Sequence, residues 1–204
     1  MFLLASLRSV WWSACPELVV DFIGIRIWFA VFFSVLGFQV AIEPSGKAGP
    51  DIEVTENDHG AIVEVTRFRR VYEGPPEICT DDERPMLVKY GDSRRDTEKA
   101  YNKIVGKFPQ ISEVVHTSII ALWNSDGDLE EIEMEEAIRH LRRDSEEHKI
   151  SIPNNLAFVL FGPWDGQLLC FPVRSNLAPY ERGWMQKIEE MTVGQFIEYV
   201  LDSE

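Results

Sequence analysis

The densest set of side chains that could do chemistry is an acidic run that begins near residue 124. Its carboxylates are the oxygen ligands that Ca²⁺ prefers in proteins. Aligning Gly127 with the glycine of an EF-hand-type calcium loop puts Asn124, Asp126 and Glu133 at ligand positions. Leu122 then occupies the first ligand position, which needs an oxygen. The alternative is a turn leading into a helix, because acidic residues in a first turn interact favourably with the helix dipole.

Histidine and cysteine offer a second chemistry, a thiolate and imidazole pair for nucleophilic catalysis. The histidines show no HExxH or other close metal-ligand spacing, and no CxxC occurs. His116 is the histidine that could meet Cys79 or Cys170 in space, although nothing beside either cysteine supports the pair. Cys170 lies in an apolar run that favours a buried thiol, whereas an exported domain could join the two cysteines as a disulfide.

Motifs of the common catalytic classes are absent from the sequence. It contains no GxSxG, no phosphate-binding loop and no GxGxxG. Two carboxylates that folding brings together leave no such signature, so a hydrolase with carboxylates or a Cys/His pair stays open as a third function. We expect a protein without catalytic activity and without a cofactor.

Two tryptophans are candidates for an interaction surface. Trp164 lies at the tip of a predicted hairpin and Trp184 in a predicted C-terminal helix. Large aromatic side chains often dominate the binding energy of protein interfaces. The alternative is that both belong to the core, as aromatic side chains of small domains usually do.

Charge restricts the partners of the chain. The formal net charge is −14, and basic and acidic residues balance over residues 1–50, so the whole excess belongs to residues 51–204. A strongly acidic domain repels phosphate groups, so we expect no nucleic-acid partner and favour a basic protein. An acidic inhibitor or immunity-type protein that neutralises a basic partner is therefore the first alternative function.

Residues 22–42 form an apolar stretch with the length that a bilayer crossing needs, about 20 residues. Its single charge, Arg26, lies near one end, where its side chain could reach the headgroups. We expect a transmembrane helix, with the acidic domain on the non-cytoplasmic side because Arg8 and Arg26 precede the span and Lys47 alone follows it. The alternatives are a helix buried in the fold, or a leader that is removed or misassigned. The first-choice function is a membrane-tethered binding or accessory domain.

The elements that position these side chains can be predicted from periodicity and turn residues. A hairpin over residues 52–72 turns at residues 57–60, and Pro163 to Gly166 marks the turn of a second hairpin between two apolar strands, at 155–162 and 167–173. Apolar spacing and capping residues predict helices over 93–108, 131–147 and 181–191, and a further one from Thr192 that Gln195 caps. Short strands are expected at 86–90 and 114–123.

Strands mixed with helices, without a regular βαβ rhythm, indicate an α+β fold. We expect one two-layer domain over residues 51–204, with a mixed or antiparallel sheet and several helices. A flank at 1–21, the hydrophobic helix at 22–42 and a linker at 43–50 precede that domain.

Overall fold

The computed structural model describes residues 22–43, 50–69, 77–79, 86–88, 93–112, 114–124, 129–162, 167–192, 194–196 and 198. The helices in these ranges are α1 (Phe22–Val35), α2 (Ser93–Val105), α3 (Phe108–Ser112), α4 (Glu131–Glu146) and α5 (Pro179–Glu189). The strands are β1 (Gln39–Ile42), β2 (Ile52–Glu56), β3 (His59–Phe68), β4 (Glu77–Cys79), β5 (Met86–Val88), β6 (Thr117–Asn124), β7 (Leu156–Gly162) and β8 (Leu169–Pro172).

Six of the strands form one mixed sheet in the order β1-β2-β3-β6-β7-β8, and β4 pairs with β5 separately. The strands β1, β2 and β3 are antiparallel neighbours, whereas β3, β6 and β7 run parallel. Parallel neighbours need a long return connection, which α2 and α3 supply between β3 and β6, and α4 between β6 and β7. β8 lies at one edge, antiparallel to β7. The expected α+β class with a mixed sheet is confirmed.

Helices cover both faces of this sheet, because successive residues of a strand point to opposite sides. Val63 and Ile119 belong to the core that the sheet shares with α1 and α5. Their neighbours Ile62 and Ile120 belong to the core shared with α2, α3 and α4. The fold therefore has three layers, where the sequence predicts two.

The hairpin of β2 and β3 turns at the residues that the sequence indicates. Asn57 and Asp58 both have positive φ, 48° and 68°. This is the combination of a type I′ turn, which Asn and Asp tolerate better than most residues. Because the turn sets the register of a hairpin, it also decides which residues of β2 and β3 face each other.

The apolar segment at 22–42 forms two elements instead of one continuous helix. α1 ends at Val35, Gly37 adopts a left-handed φ of 87°, and β1 then pairs with β2 at the other edge of the sheet. Phe29 and Phe33 of α1 are fully buried in the core beneath the sheet. No helix among the described residues combines the length and the apolarity that a bilayer crossing requires. The boundary expected at residue 51 therefore lies inside the sheet.

The second predicted hairpin is present as the antiparallel pair β7 and β8, while its turn, with Gly166, lies outside the described residues. The sequence predicts that both strands are central. β7 is buried along its whole length, but β8 is an edge strand with half-exposed side chains. The predicted cap after α5 is confirmed, because the backbone N–H of Thr192 donates to Gln195 and that of Gln195 donates to Thr192.

Candidate functional site

Two buried carboxylates meet where β2 begins beside the middle of β3. Ile52 pairs with Val63, so Asp51 and Glu64 follow as the next facing pair of the antiparallel register. The side chain of Asp51 is 6% exposed and that of Glu64 is 4% exposed. Asp51 Oδ2 accepts a hydrogen bond of 2.8 Å from the backbone N–H of Val65, which holds its carboxylate against β3.

Lys107, in the turn between α2 and α3, supplies a cation to both carboxylates. Its Nζ lies 3.1 Å from Glu64 Oε2 and 3.9 Å from Asp51 Oδ2. The Lys107 side chain is 16% exposed, so the ammonium is largely withdrawn from water. We call Asp51, Glu64 and Lys107 the carboxylate centre.

Arg26 of α1 approaches the same centre from the other face of the sheet. One guanidinium nitrogen lies 2.6 Å from Asp51 Oδ1, and another bonds to Glu43, just beyond β1. The arginine that the sequence analysis places near the headgroups thus makes ion pairs inside the fold. These contacts link α1, β2, β3 and the turn after α2, so the centre joins all three layers.

Burial raises the pKa of Glu64 above its ordinary value, even though Lys107 counteracts the shift. The negative charge of Asp51 adds to the rise, while Arg26 opposes it weakly. Lys107 therefore offsets only part of the free-energy cost of burying the ionised Glu64 carboxylate. A further positive charge between the carboxylates would stabilise the ionised form.

Two carboxylates suit one class of metal ion better than others. Among the described residues, no group of three or more His, Cys, Asp and Glu side chains is arranged to hold a metal. Mg²⁺ keeps several waters and is commonly bound by one or two carboxylates together with substrate phosphates. The carboxylate centre matches that donor set.

The residues that the sequence predicts as calcium ligands have structural contacts. The Asn124 side chain donates to the Leu129 carbonyl and accepts from its N–H, which links the end of β6 to the residue two positions before α4. Glu133 accepts from the N–H of Glu130 in the capping box of α4. Asp126 lies outside the described residues. The cap supports the alternative interpretation, a turn that leads into a helix with an acidic first turn.

One of the two candidate tryptophans is buried in the described structure. Trp184 is 2% exposed, and its indole N–H donates to Glu56 at 2.8 Å. It packs between Phe38 and Tyr180, so it belongs to the core and corrects the prediction of an exposed anchor. Trp164 lies outside the described residues.

Cys170 and His116 are too far apart to act together. Cys170 pairs with Leu160, and Leu160 pairs with Ala121, five residues beyond His116. Two strand spacings and five residues along a strand correspond to about 19 Å. Cys170 is a free, buried thiol whose pKa is raised by burial and by nearby Glu189, so it is a poor nucleophile. The side chain of Cys79 is not among those described.

A wide groove of about 1330 Å³ lies along β8, at the opposite edge of the sheet from β1. Its lining includes three arginines and three glutamates, so their charges balance. The outward N–H of Cys170 bonds to Glu189, and the carbonyl of Pro172 bonds to Arg142. These contacts close the edge of β8, which edge strands need against unwanted pairing.

None of the three residues of the carboxylate centre is a candidate site residue in the sequence, although a signal for Glu64 is present. Glu64 stands inside the β-branched run from Ile62 to Val65, where a carboxylate is expensive to bury unless it has a partner. Arg26 is a similar interruption of an apolar helix. Asp51 and Lys107 carry no such mark, because each lies in a turn-like stretch of ordinary polar composition.

No family model, curated protein or solved structure matches this chain.

Proposed function

We propose that this protein hydrolyses phosphate esters, with a divalent cation held by Asp51 and Glu64. The observation that carries the proposal is the burial of two carboxylates from neighbouring strands around one ammonium group, that of Lys107. Catalytic groups are often placed where burial and like charges perturb their pKa, and Glu64 is placed in that way.

Each residue has a distinct role in this proposal. The Val65 N–H and Arg26 orient Asp51, which makes it the fixed ligand of the cation. Glu64 would be the second ligand, and the added charge would offset the cost of its burial. Mg²⁺ or Mn²⁺ would supply a bound water of lowered pKa. Lys107, displaced from between the carboxylates, would face the phosphoryl oxygens and stabilise their charge as water attacks phosphorus and the ester P–O bond breaks.

The first experiment measures cation binding and hydrolysis together. Titration calorimetry with MgCl₂ and MnCl₂ tests binding, and bis(p-nitrophenyl) phosphate tests hydrolysis. Asp51→Asn and Glu64→Gln should each weaken cation binding and lower kcat/KM at least about 100-fold, the scale of one lost catalytic group. Glu53→Gln, a carboxylate on β2 two residues from Asp51, is the matched control and should leave both unchanged.

Lys107→Met separates a catalytic centre from a purely structural ion cluster. Removing the ammonium should tighten Mn²⁺ binding, because the lysine no longer competes for the carboxylates, and should still abolish hydrolysis. A structural cluster gives a different result: the variant loses stability and gains no affinity for Mn²⁺. Absence of Mg²⁺ and Mn²⁺ binding by the unaltered protein would contradict the proposed function.

Two functions expected from the sequence stay predictions. The net charge of −14 favours an acidic inhibitor that neutralises a basic protein. Pull-down from the native host at low and high salt tests it, since electrostatic capture weakens with salt. A membrane-tethered binding domain is tested by carbonate extraction of membranes that carry the full chain. The chain should stay in the pellet if residues 22–42 anchor it.

A further inference from the structure

Helix α2 carries a row of basic side chains at four-residue intervals. Arg95, Lys99 and Lys103 lie on this helix, and Lys107 follows at the next interval in the turn after it. Residues four apart share one side of a helix and are separated by about 6 Å along its axis. We call Arg95, Lys99 and Lys103 the basic row. It leads to the lysine of the carboxylate centre.

The basic row lines a shallow depression on the surface of α2. Arg95, Glu98, Lys99, Asn102 and Lys103 line a shallow depression of about 320 Å³. Three of these side chains are basic and one is acidic, so the depression is positive. Lys99 also donates to the carbonyl of Arg69 and lies 5.2 Å from the centre of the Phe68 ring. This contact brings Arg69, the exposed residue that follows β3, beside the row.

The positive charge of the basic row is opposite in sign to the net charge of the molecule. At −14, the whole chain repels polyanions at long range. In physiological salt, charges farther apart than about 8 Å are largely screened. An approaching phosphate therefore responds mainly to the local side chains of the depression. The expectation of no nucleic-acid partner rests on the total charge of the chain, which does not describe how the charges are distributed over its surface.

We propose that the basic row binds the sugar–phosphate backbone of a nucleic-acid strand and directs one phosphodiester to the carboxylate centre. This deepens the proposed function and rests on it for the chemistry at Lys107. Evenly spaced cations suit a ligand with evenly spaced anionic groups, and the row ends at the centre that acts on a phosphate ester. An acidic peptide shares the charge but offers no bond for that centre to cleave.

The binding test uses the full chain and a labelled single-stranded DNA 20-mer, with fluorescence anisotropy in EDTA so that no cation contributes. If three phosphates are contacted, raising the salt from 50 to 200 mM should weaken affinity about 20-fold. Lys99→Glu/Lys103→Glu should weaken binding at least about tenfold at 50 mM salt. The control Arg139→Glu/Arg143→Glu changes the net charge equally on α4 and should leave binding close to that of the unaltered chain.

Three results would overturn this inference: unchanged affinity in the Lys99/Lys103 variant, an equal loss in the α4 control, or displacement of the DNA by poly-glutamate as readily as by unlabelled DNA. A melting temperature within error of the parent confirms that each variant folds. Cleavage with MnCl₂ is assayed separately. Binding of DNA without cleavage would contradict the proposed hydrolase function but not the role of the basic row in binding. Hydrolysis of bis(p-nitrophenyl) phosphate without DNA binding would contradict the role of the basic row but not the hydrolase function.

Discussion

At the level of single residues, the contribution of the carboxylate centre to stability depends on the free-energy cost of burying Glu64 in its ionised form. A carboxylate withdrawn from water is costly unless other charges compensate it. Lys107 contacts Glu64 more closely than Asp51, whose other oxygen is held by Arg26. The two acids therefore differ. Asp51 has two cations and a backbone N–H, whereas the described contacts of Glu64 give it one cation.

This difference predicts a pH dependence of folding stability. The pKa of Glu64 is raised in the folded state above its ordinary value of 4.5, so the folded protein holds the proton more tightly than the unfolded chain. The resulting stabilisation is complete below the unfolded pKa and is lost as the pH rises through the folded pKa. In EDTA, the unfolding free energy of the unaltered protein relative to Glu64→Gln should therefore fall across a window beginning just above pH 4.5.

Urea unfolding of both proteins at several pH values measures this effect. If the unfolding free energy of the unaltered protein relative to Glu64→Gln stays constant across the window, or rises with pH, then burial does not raise the pKa of Glu64. Added MnCl₂ should reverse the loss for the unaltered protein alone, because the cation favours the ionised carboxylate.

At the level of elements, two glycines show how tightly the neighbouring side chains pack at the end of β7 and how loosely they pack around α5. Gly162 ends β7 against the Trp123 ring of β6, and a Cβ built there would lie 3.0 Å from that ring and 3.1 Å from Leu168. Gly183 lies inside α5, where a Cβ would meet nothing within 4 Å. Replacing glycine by alanine is therefore expected to lower the stability of the protein at position 162 and to raise it at position 183.

Gly162→Ala should lower the unfolding free energy by about 1–3 kcal/mol, since a crowded core relaxes only by displacing its side chains. Gly183→Ala should raise it by about 0.5–1 kcal/mol, because alanine restricts the unfolded chain and favours the helix. Thermal and urea unfolding of the two variants provide the measurement. Stabilisation by Gly162→Ala would mean that the Trp123 ring and the Leu168 side chain lie farther from residue 162 than described.

At the level of the whole molecule, α1 covers one face of the sheet together with α5. Phe29, Phe32 and Phe33 are buried, and Trp28 contacts Trp123 of β6 and Phe196 near the C-terminus. Segments distant in the sequence therefore share one core. The domain expected at residues 51–204 would lack this helix and the edge strand β1.

A chain that begins at residue 50 should therefore fail to fold cooperatively, because the face of the sheet that α1 covers would be exposed to water. Near-ultraviolet circular dichroism and binding of the dye ANS report this loss of packing. A chain that begins at residue 22 keeps α1 and β1 and is the control, which should unfold in one sharp transition. Equal melting temperatures for the two chains would refute the structural role of α1.

The local parts of this fold were predictable because the forces that form them act over a few residues. Asn57 and Asp58 specify their turn through the left-handed conformation that they tolerate. The stripe of Met134, Ile138 and Leu141 predicts α4, and all three side chains are buried. The apolar strands β6 and β7 were recognisable from β-branched and aromatic residues, although their position at the centre of the sheet was predictable only for β7.

The sequence by itself determined the elements, the turns and the concentration of negative charge, since propensity, periodicity and composition are properties of neighbouring residues. Only the tertiary structure decided that an apolar helix covers a sheet, that Arg26 meets Asp51, and that Lys107 stands between two carboxylates. The ion pairs that Arg26 and Lys107 make with these carboxylates join residues 25 to 56 positions apart, whose approach depends on strand order and crossover connections. Patterns of neighbouring residues carry no information about which distant residues come into contact. The candidate site consists of such long-range contacts, so it could not be predicted from the sequence.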